Sequence, residues 1–125
     1  MEVNIPEILE EVTEAFWEYE RALLSNDVEA LKDIFWNSLH TLRYGLGEVL
    51  YGHDEITAFR NSQRGTKLER EVTRLVVTTY GRDFATANCE TKRTGADIKS
   101  RQSHTWVRQP EGWRIVAAHV SAPGT

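Results

Sequence analysis

The chain has 125 residues, 40% of them hydrophobic and 27% charged, with a formal net charge of −4. This length predicts one domain with its own core, and the single cysteine, Cys89, excludes an internal disulfide and a cysteine-based metal cluster. The acidic balance argues against nucleic acid, which selects a basic face, and the absence of a membrane-length apolar run or a signal-peptide core points to the cytoplasm rather than a membrane or secretion.

The spacing predicts a first helix over residues 5–25. Pro6 suits its first turn, and Glu7, Glu10 and Glu11 lie near the positive end of the helix dipole. Ile8, Val12, Ala15, Phe16, Tyr19 and Leu23 recur at three- and four-residue steps, so they share one face. Ser25-Asn26-Asp27 breaks this helix and caps a second one, over 28–35, with Leu31, Ile34 and Phe35 inward. Residues 41–44 and 48–51 read as a hairpin, with Gly45 and Gly47 at positions that need φ > 0. A short helix follows Gly52, carries Ile56, Phe59 and Arg60, and ends near Gly65.

Four longer strands fill the rest, over about 69–80, 84–94, 98–108 and 113–121. Gly81-Arg82-Asp83, Gly95-Ala96-Asp97 and Pro110-Glu111-Gly112 supply the turns. Sequential hairpins imply an antiparallel meander. In the last strand, strict alternation puts Ile115, Ala117, His119 and Ser121 on one face and Val116, Ala118 and Val120 on the other. Both faces are apolar, so the reading is helices on one side and a second copy of the chain on the other, a homodimer. The predicted fold is α+β: three N-terminal helices packed on a curved antiparallel sheet, forming a cone with a pocket at its open end.

Arg43 lies in Thr41-Leu42-Arg43-Tyr44-Gly45, a strand that leads into the core. A permanent cation with five donors needs an anion there. Glu48 across the hairpin or Glu90 on a neighbouring strand would pair it internally. The alternative is a bound carboxylate held through both arms of the guanidinium. Tyr19, on the first helix stripe, is either a packed aromatic with a satisfied hydroxyl or a proton donor whose acidity Arg43 raises. His119 and Ser121 read as pocket-lining at the end of the last strand, with a satisfied core His as the alternative. Arg60 either snorkels to a surface partner or provides a second anion contact. Trp36, Trp106 and Trp113 read as core or interface. The four histidines are too scattered for a metal site, so no metal and no other cofactor is expected. No nucleophile elbow and no phosphate- or dinucleotide-binding glycine pattern occurs.

The helix–helix–hairpin–helix–meander order, with Asn26-Asp27-Val28-Glu29-Ala30-Leu31 and the closing Gly112-Trp113-Arg114-Ile115-Val116 and His119-Val120-Ser121, resembles the nuclear transport factor 2-like superfold. A narrower set is similar to its AtzH-like branch: Tyr19-Glu20-Arg21-Ala22-Leu23, Phe35-Trp36, Leu42-Arg43-Tyr44-Gly45, Leu50-Tyr51-Gly52, Phe59-Arg60 and Arg101-Gln102-Ser103-His104-Thr105-Trp106-Val107-Arg108. That resemblance implies a small cytoplasmic protein working beside an amidase in the breakdown of cyanuric acid or related nitrogen compounds. The implied activity is a cofactor-independent decarboxylating amidohydrolase that takes 1,3-dicarboxyurea to allophanate. It also implies a catalytic Tyr on the first helix and a catalytic Arg on the first strand, at Tyr19 and Arg43. Two other readings stand beside it. One is a non-catalytic dimer that binds a small carboxylate or steadies an amidase. The other is a different acid–base enzyme of the same fold, such as an isomerase or cyclase.

Overall fold

The first helix, α1 (Pro6–Ser25), begins where Pro6 loses nothing by lacking an N–H, and it buries the predicted stripe of Ile8, Val12, Phe16, Tyr19 and Leu23. The computed structural model describes residues 1–65 and 67–124. Asn26 ends α1 in the left-handed region at φ 50°, and its side-chain amide donates to the Gln63 carbonyl at 2.6 Å. The corner after α1 is thereby tied to the residue that follows the third helix. Asp27 caps α2 (Val28–Ile34) by accepting from the Ala30 N–H at 3.2 Å. The third helix, α3 (His53–Ser62), follows Gly52, whose φ of 86° favours glycine. No described helix is long and apolar enough to cross a membrane.

Six strands form one sheet in the order β2-β1-β6-β5-β4-β3. They are β1 (Leu42–Tyr44), β2 (Val49–Tyr51), β3 (Arg70–Tyr80), β4 (Phe84–Arg93), β5 (Lys99–Gln109) and β6 (Gly112–Ser121). The meander from β3 to β6 is antiparallel throughout. The sheet as a whole is mixed, contrary to the antiparallel expectation, because β1 pairs in parallel with β6. Hairpin logic constrains only consecutive strands. Here the chain is laid alongside β6 before β1 starts: Phe35 forms a parallel bridge with Ile115, and the Trp36 N–H donates to the Ile115 carbonyl at 2.9 Å.

A second correction concerns β6. Thr105 pairs with Ala117 but Trp106 pairs with Ile115, so Val116 is an extra residue in a bulge. The bulge resets the alternation. Trp113, Ile115 and then Ala118 are buried, while His119 is exposed on the outer face. His119 and Ser121 therefore do not continue the Ile115 face. A third correction concerns the β1–β2 loop, where neither Gly45 nor Gly47 has positive φ. Gly45 meets a spatial demand instead: a Cβ there would collide with the Glu48 carboxylate.

The core lies between α1 and the inner face of the sheet. Phe16 and Val12 meet Ala85, Ala87, Trp106, Ile115 and Ala118 in one apolar cluster, with Leu31 and Phe35 closing it from α2. Ile115 is fully buried. Ile115→Ala is expected to lower the unfolding free energy by about 2–5 kcal/mol, read as a lower urea midpoint with an unchanged m value.

Candidate active site

Beyond the apolar cluster, the space bounded by the end of α1, α3, the β1–β2 loop and the sheet is lined by charge. It is a cavity of about 360 Å³. Arg43, Arg60, Arg70, Arg93 and Lys99 face it, with Glu48 the sole carboxylate on its wall among the described residues, and Leu23, Phe59, Leu68 and Val120 supply apolar surface.

Arg43 points inward from β1 and is 8% exposed. Its Nη1 makes a tight ion pair with Glu48 Oε1 across the loop. The missing Cβ of Gly45 leaves room for that carboxylate. Glu90 is not a partner, since it lies exposed on the outer face of β4. The pairing is incomplete, because Arg43 Nε is buried without a hydrogen-bond partner.

Arg60 turns inward from α3 rather than snorkelling, and is 7% exposed. Its Nε and Nη2 are buried and have no acceptor. The Cζ atoms of Arg43 and Arg60 each lie 5.6 Å from the centre of the Phe59 ring, so one aromatic ring supports two cations. Burial pulls the Arg60 guanidinium below its ordinary value, and Arg43 and Arg70 add repulsion that Tyr19 and Glu48 oppose.

Arg70, at the start of β3, is the third guanidinium. Its Nε and Nη2 reach the two oxygens of Glu20 at 3.0 and 2.8 Å, a bidentate pair with both side chains buried. Burial works against the Arg70 charge, but the Glu20 contact outweighs it and holds the guanidinium above its ordinary value. Arg70 Nη2 also donates to Gln102 Oε1 at 3.3 Å.

Tyr19 is buried and does not line the cavity, but it is bonded to Gln102, which does, and its oxygen is close enough to act on the Arg60 charge. The Gln102 amide donates to the Tyr19 hydroxyl at 3.3 Å and lies 2.6 Å from His104 Nε2. The Tyr19 and His104 rings meet edge to face at 4.6 Å. Burial, then Arg43, Arg70 and Arg60, push the His104 imidazole down to about 3, so the ring is neutral at physiological pH.

The structure thus brings Arg43 and Arg60 together on one cavity and connects Tyr19 to it through Gln102. His119 and Ser121 do not line it, because of the bulge at Val116. Glu20, Arg70, Gln102 and His104 are site residues that the sequence reading passed over. A signal for two of them was present: Gln102 and His104 alternate with Trp106, so a core tryptophan marks both polar residues as inward. Cys89 is buried opposite Gln102 on the neighbouring strand, its thiol pushed up to about 11 by burial, with Arg70 and Glu20 acting on it in opposite directions.

The AtzH-like family model matches residues 1–124. Among solved structures, the chain is similar to a protein of unknown function from Pectobacterium atrosepticum SCRI1043, with 52% identity and a TM-score of 0.92 over 96% of this chain and 94% of that one. It is also similar to a cystatin-like fold protein from Burkholderia xenovorans LB400, with 47% identity and a TM-score of 0.90 over 98% and 96% of the two chains. A nuclear transport factor 2-like superfamily protein from Salmonella enterica serovar Typhimurium LT2 shares the fold at 23% identity and a TM-score of 0.80, over 95% and 93%. No curated protein matches.

His104 makes a pH prediction. Its folded value of about 3 lies below the ordinary 6.5, so between these values the unfolded chain binds the extra proton. Stability from this group is complete above the ordinary value and falls as pH drops toward 3, by up to about 1.4 kcal/mol per pH unit. His104→Gln, which keeps an acceptor toward Gln102, is expected to flatten the fall in urea-derived stability between neutral pH and pH 4.5.

Proposed function

The chain belongs to the AtzH-like family of the nuclear transport factor 2-like superfamily, and we propose that it is a decarboxylating hydrolase of a small N-carboxylated urea, converting 1,3-dicarboxyurea to allophanate. The observation that carries this reading is the pair of incompletely satisfied guanidiniums on one cavity wall. Two nitrogens of Arg60 and one of Arg43 are buried without acceptors. A buried donor left unpaired costs about 1–3 kcal/mol, and more when the group is charged. A ligand with two carboxylates offers those nitrogens what the protein withholds. Among the described residues three guanidiniums, Arg43, Arg60 and Arg70, have two carboxylate partners, Glu48 and Glu20, and Arg93 and Lys99 add positive charge at the rim.

In this reading Arg43 and Arg60 each take a carboxylate and fix the urea plane between them. The scissile bond joins a urea nitrogen to the carbon of its carboxylate. That bond breaks with its electron pair left on nitrogen, the nitrogen takes a proton, and the carboxylate departs as carbon dioxide. Tyr19 supplies the proton and recovers one from solvent. Orientation and one proton path are all that the step requires of the protein. A homodimer through the outer sheet face and association with an amidase belong to the same proposal.

Tyr19 is not part of the cavity wall, which favours a second reading, in which the cavity captures a small dicarboxylate without turning it over. Carbon dioxide release from 1,3-dicarboxyurea decides between them. The hydrolase reading expects Tyr19→Phe to lower kcat about 100-fold or more, the usual worth of a general acid. It expects Arg43→Lys, which keeps the charge and loses the fork, to lower kcat/KM at least about 10-fold. Wild-type rates in both variants would sink it.

A further inference from the structure

Gln102 occupies a position from which it controls the direction of the Tyr19 proton. Its orientation is fixed by chemistry. Arg70 is held by both oxygens of Glu20 and has only donors to offer, so the Gln102 atom 3.3 Å from Arg70 Nη2 is the amide oxygen. The amide nitrogen therefore faces Tyr19 and His104. One N–H goes to the Tyr19 oxygen and the other to His104 Nε2, which must be an unprotonated acceptor. The His104 proton then sits on Nδ1, a buried atom without a partner.

The phenol itself is immobilised. His104, Phe35 and Phe16 pack around its ring, with centroids 4.6, 6.2 and 6.3 Å away. The remaining freedom is rotation of the O–H about the C–O bond. With one lone pair engaged by Gln102, the hydrogen points away from that amide, and no described residue accepts it. Arg60, Arg43 and Arg70 offer only donors. An anion held by Arg43 and Arg60 would offer that hydrogen an acceptor.

We propose that Gln102 is a positioning residue: by donating to the Tyr19 oxygen it keeps the Tyr19 proton free for a substrate atom held between Arg43 and Arg60. This rests on the reading of Tyr19 as the proton donor. With the amide reversed, the Gln102 oxygen would accept that proton and withhold it. The sequence Glu20–Arg70–Gln102 thus acts as a polarity lock, spanning α1, β3 and β5, and His104 terminates it.

Two measurements test the proposal on the full chain. The first is nitrogen-15 NMR of the imidazole in the wild-type protein at neutral pH. A neutral ring protonated at Nδ1 is expected for His104; protonation at Nε2 would require a reversed amide and would overturn the proposal whether or not the protein has turnover. The second is a kinetic cycle with 1,3-dicarboxyurea. Gln102→Met is expected to lower kcat about 10-fold or more, with KM changed less than about threefold. In the Tyr19→Phe background the same change is expected to lower kcat no further, since Gln102 then has no proton to direct. An unchanged kcat, or an additive loss in the double variant, would contradict the role. Absence of turnover by the wild type removes the hydrolase reading and the catalytic role together, while the NMR result still reports the hydrogen-bond direction.

Discussion

Three guanidiniums are taken out of bulk water at one end of this sheet, and the protein supplies them with two carboxylates. Everything around the cavity follows from that imbalance. Arg70 is the satisfied member, with both oxygens of Glu20 and the oxygen of Gln102. Arg43 is half satisfied by Glu48, at a place where only the missing Cβ of Gly45 lets the carboxylate in. Arg60 has neither, and rests against Phe59 with two buried nitrogens unpaired. Such a group persists because neighbouring contacts position it: Ile56 packs into the core beneath α3, and Asn26 fastens the end of that helix to the corner after α1. These buried donors favour binding of an anion, since a ligand carboxylate accepts from them.

The graded satisfaction of the three arginines also separates their roles. Arg70 is committed to structure and to orienting Gln102. Arg43 can exchange an internal carboxylate for an external one. Arg60 rests on Phe59 and its Nε and Nη2 have no acceptor among the described residues. The same positive field reaches His104, which stays neutral and can therefore serve as an acceptor for Gln102. In the proposed reading a single charge pattern selects the ligand class and fixes the tautomer and amide orientation beside Tyr19.

Much of this was legible in the sequence, for local reasons. The α1 stripe has helical period, and the meander strands are punctuated by Gly81, Gly95 and Gly112, each of which adopts positive φ. Arg43 announced itself as a cation inside an apolar strand, and Glu48 was one of its two candidate partners. What failed depended on non-local geometry. The parallel β1–β6 joint is set by Phe35 and Trp36 docking on Ile115, about 80 residues away by chain position. The bulge at Val116 is silent in a run of Val116, Ala117 and Ala118, where an inserted residue leaves no break in hydrophobicity. That single residue moved His119 and Ser121 off the site. The Glu20–Arg70 pair joins residues 50 apart in sequence, and neither local pattern names the other. Family membership fixes the fold and narrows the chemistry; the cavity's charge is what gives the narrower reading its physical content.

The central claim is that Arg60 binds an anion. Calorimetric titration with malonate, a small dicarboxylate that lacks the scissile nitrogen bond, tests it without relying on turnover. The account predicts saturable one-to-one binding at low ionic strength, weakened at least about 10-fold in Arg60→Met, which keeps the apolar stem and removes the charge. Equal malonate affinity in the two proteins, or no binding to either, would contradict it.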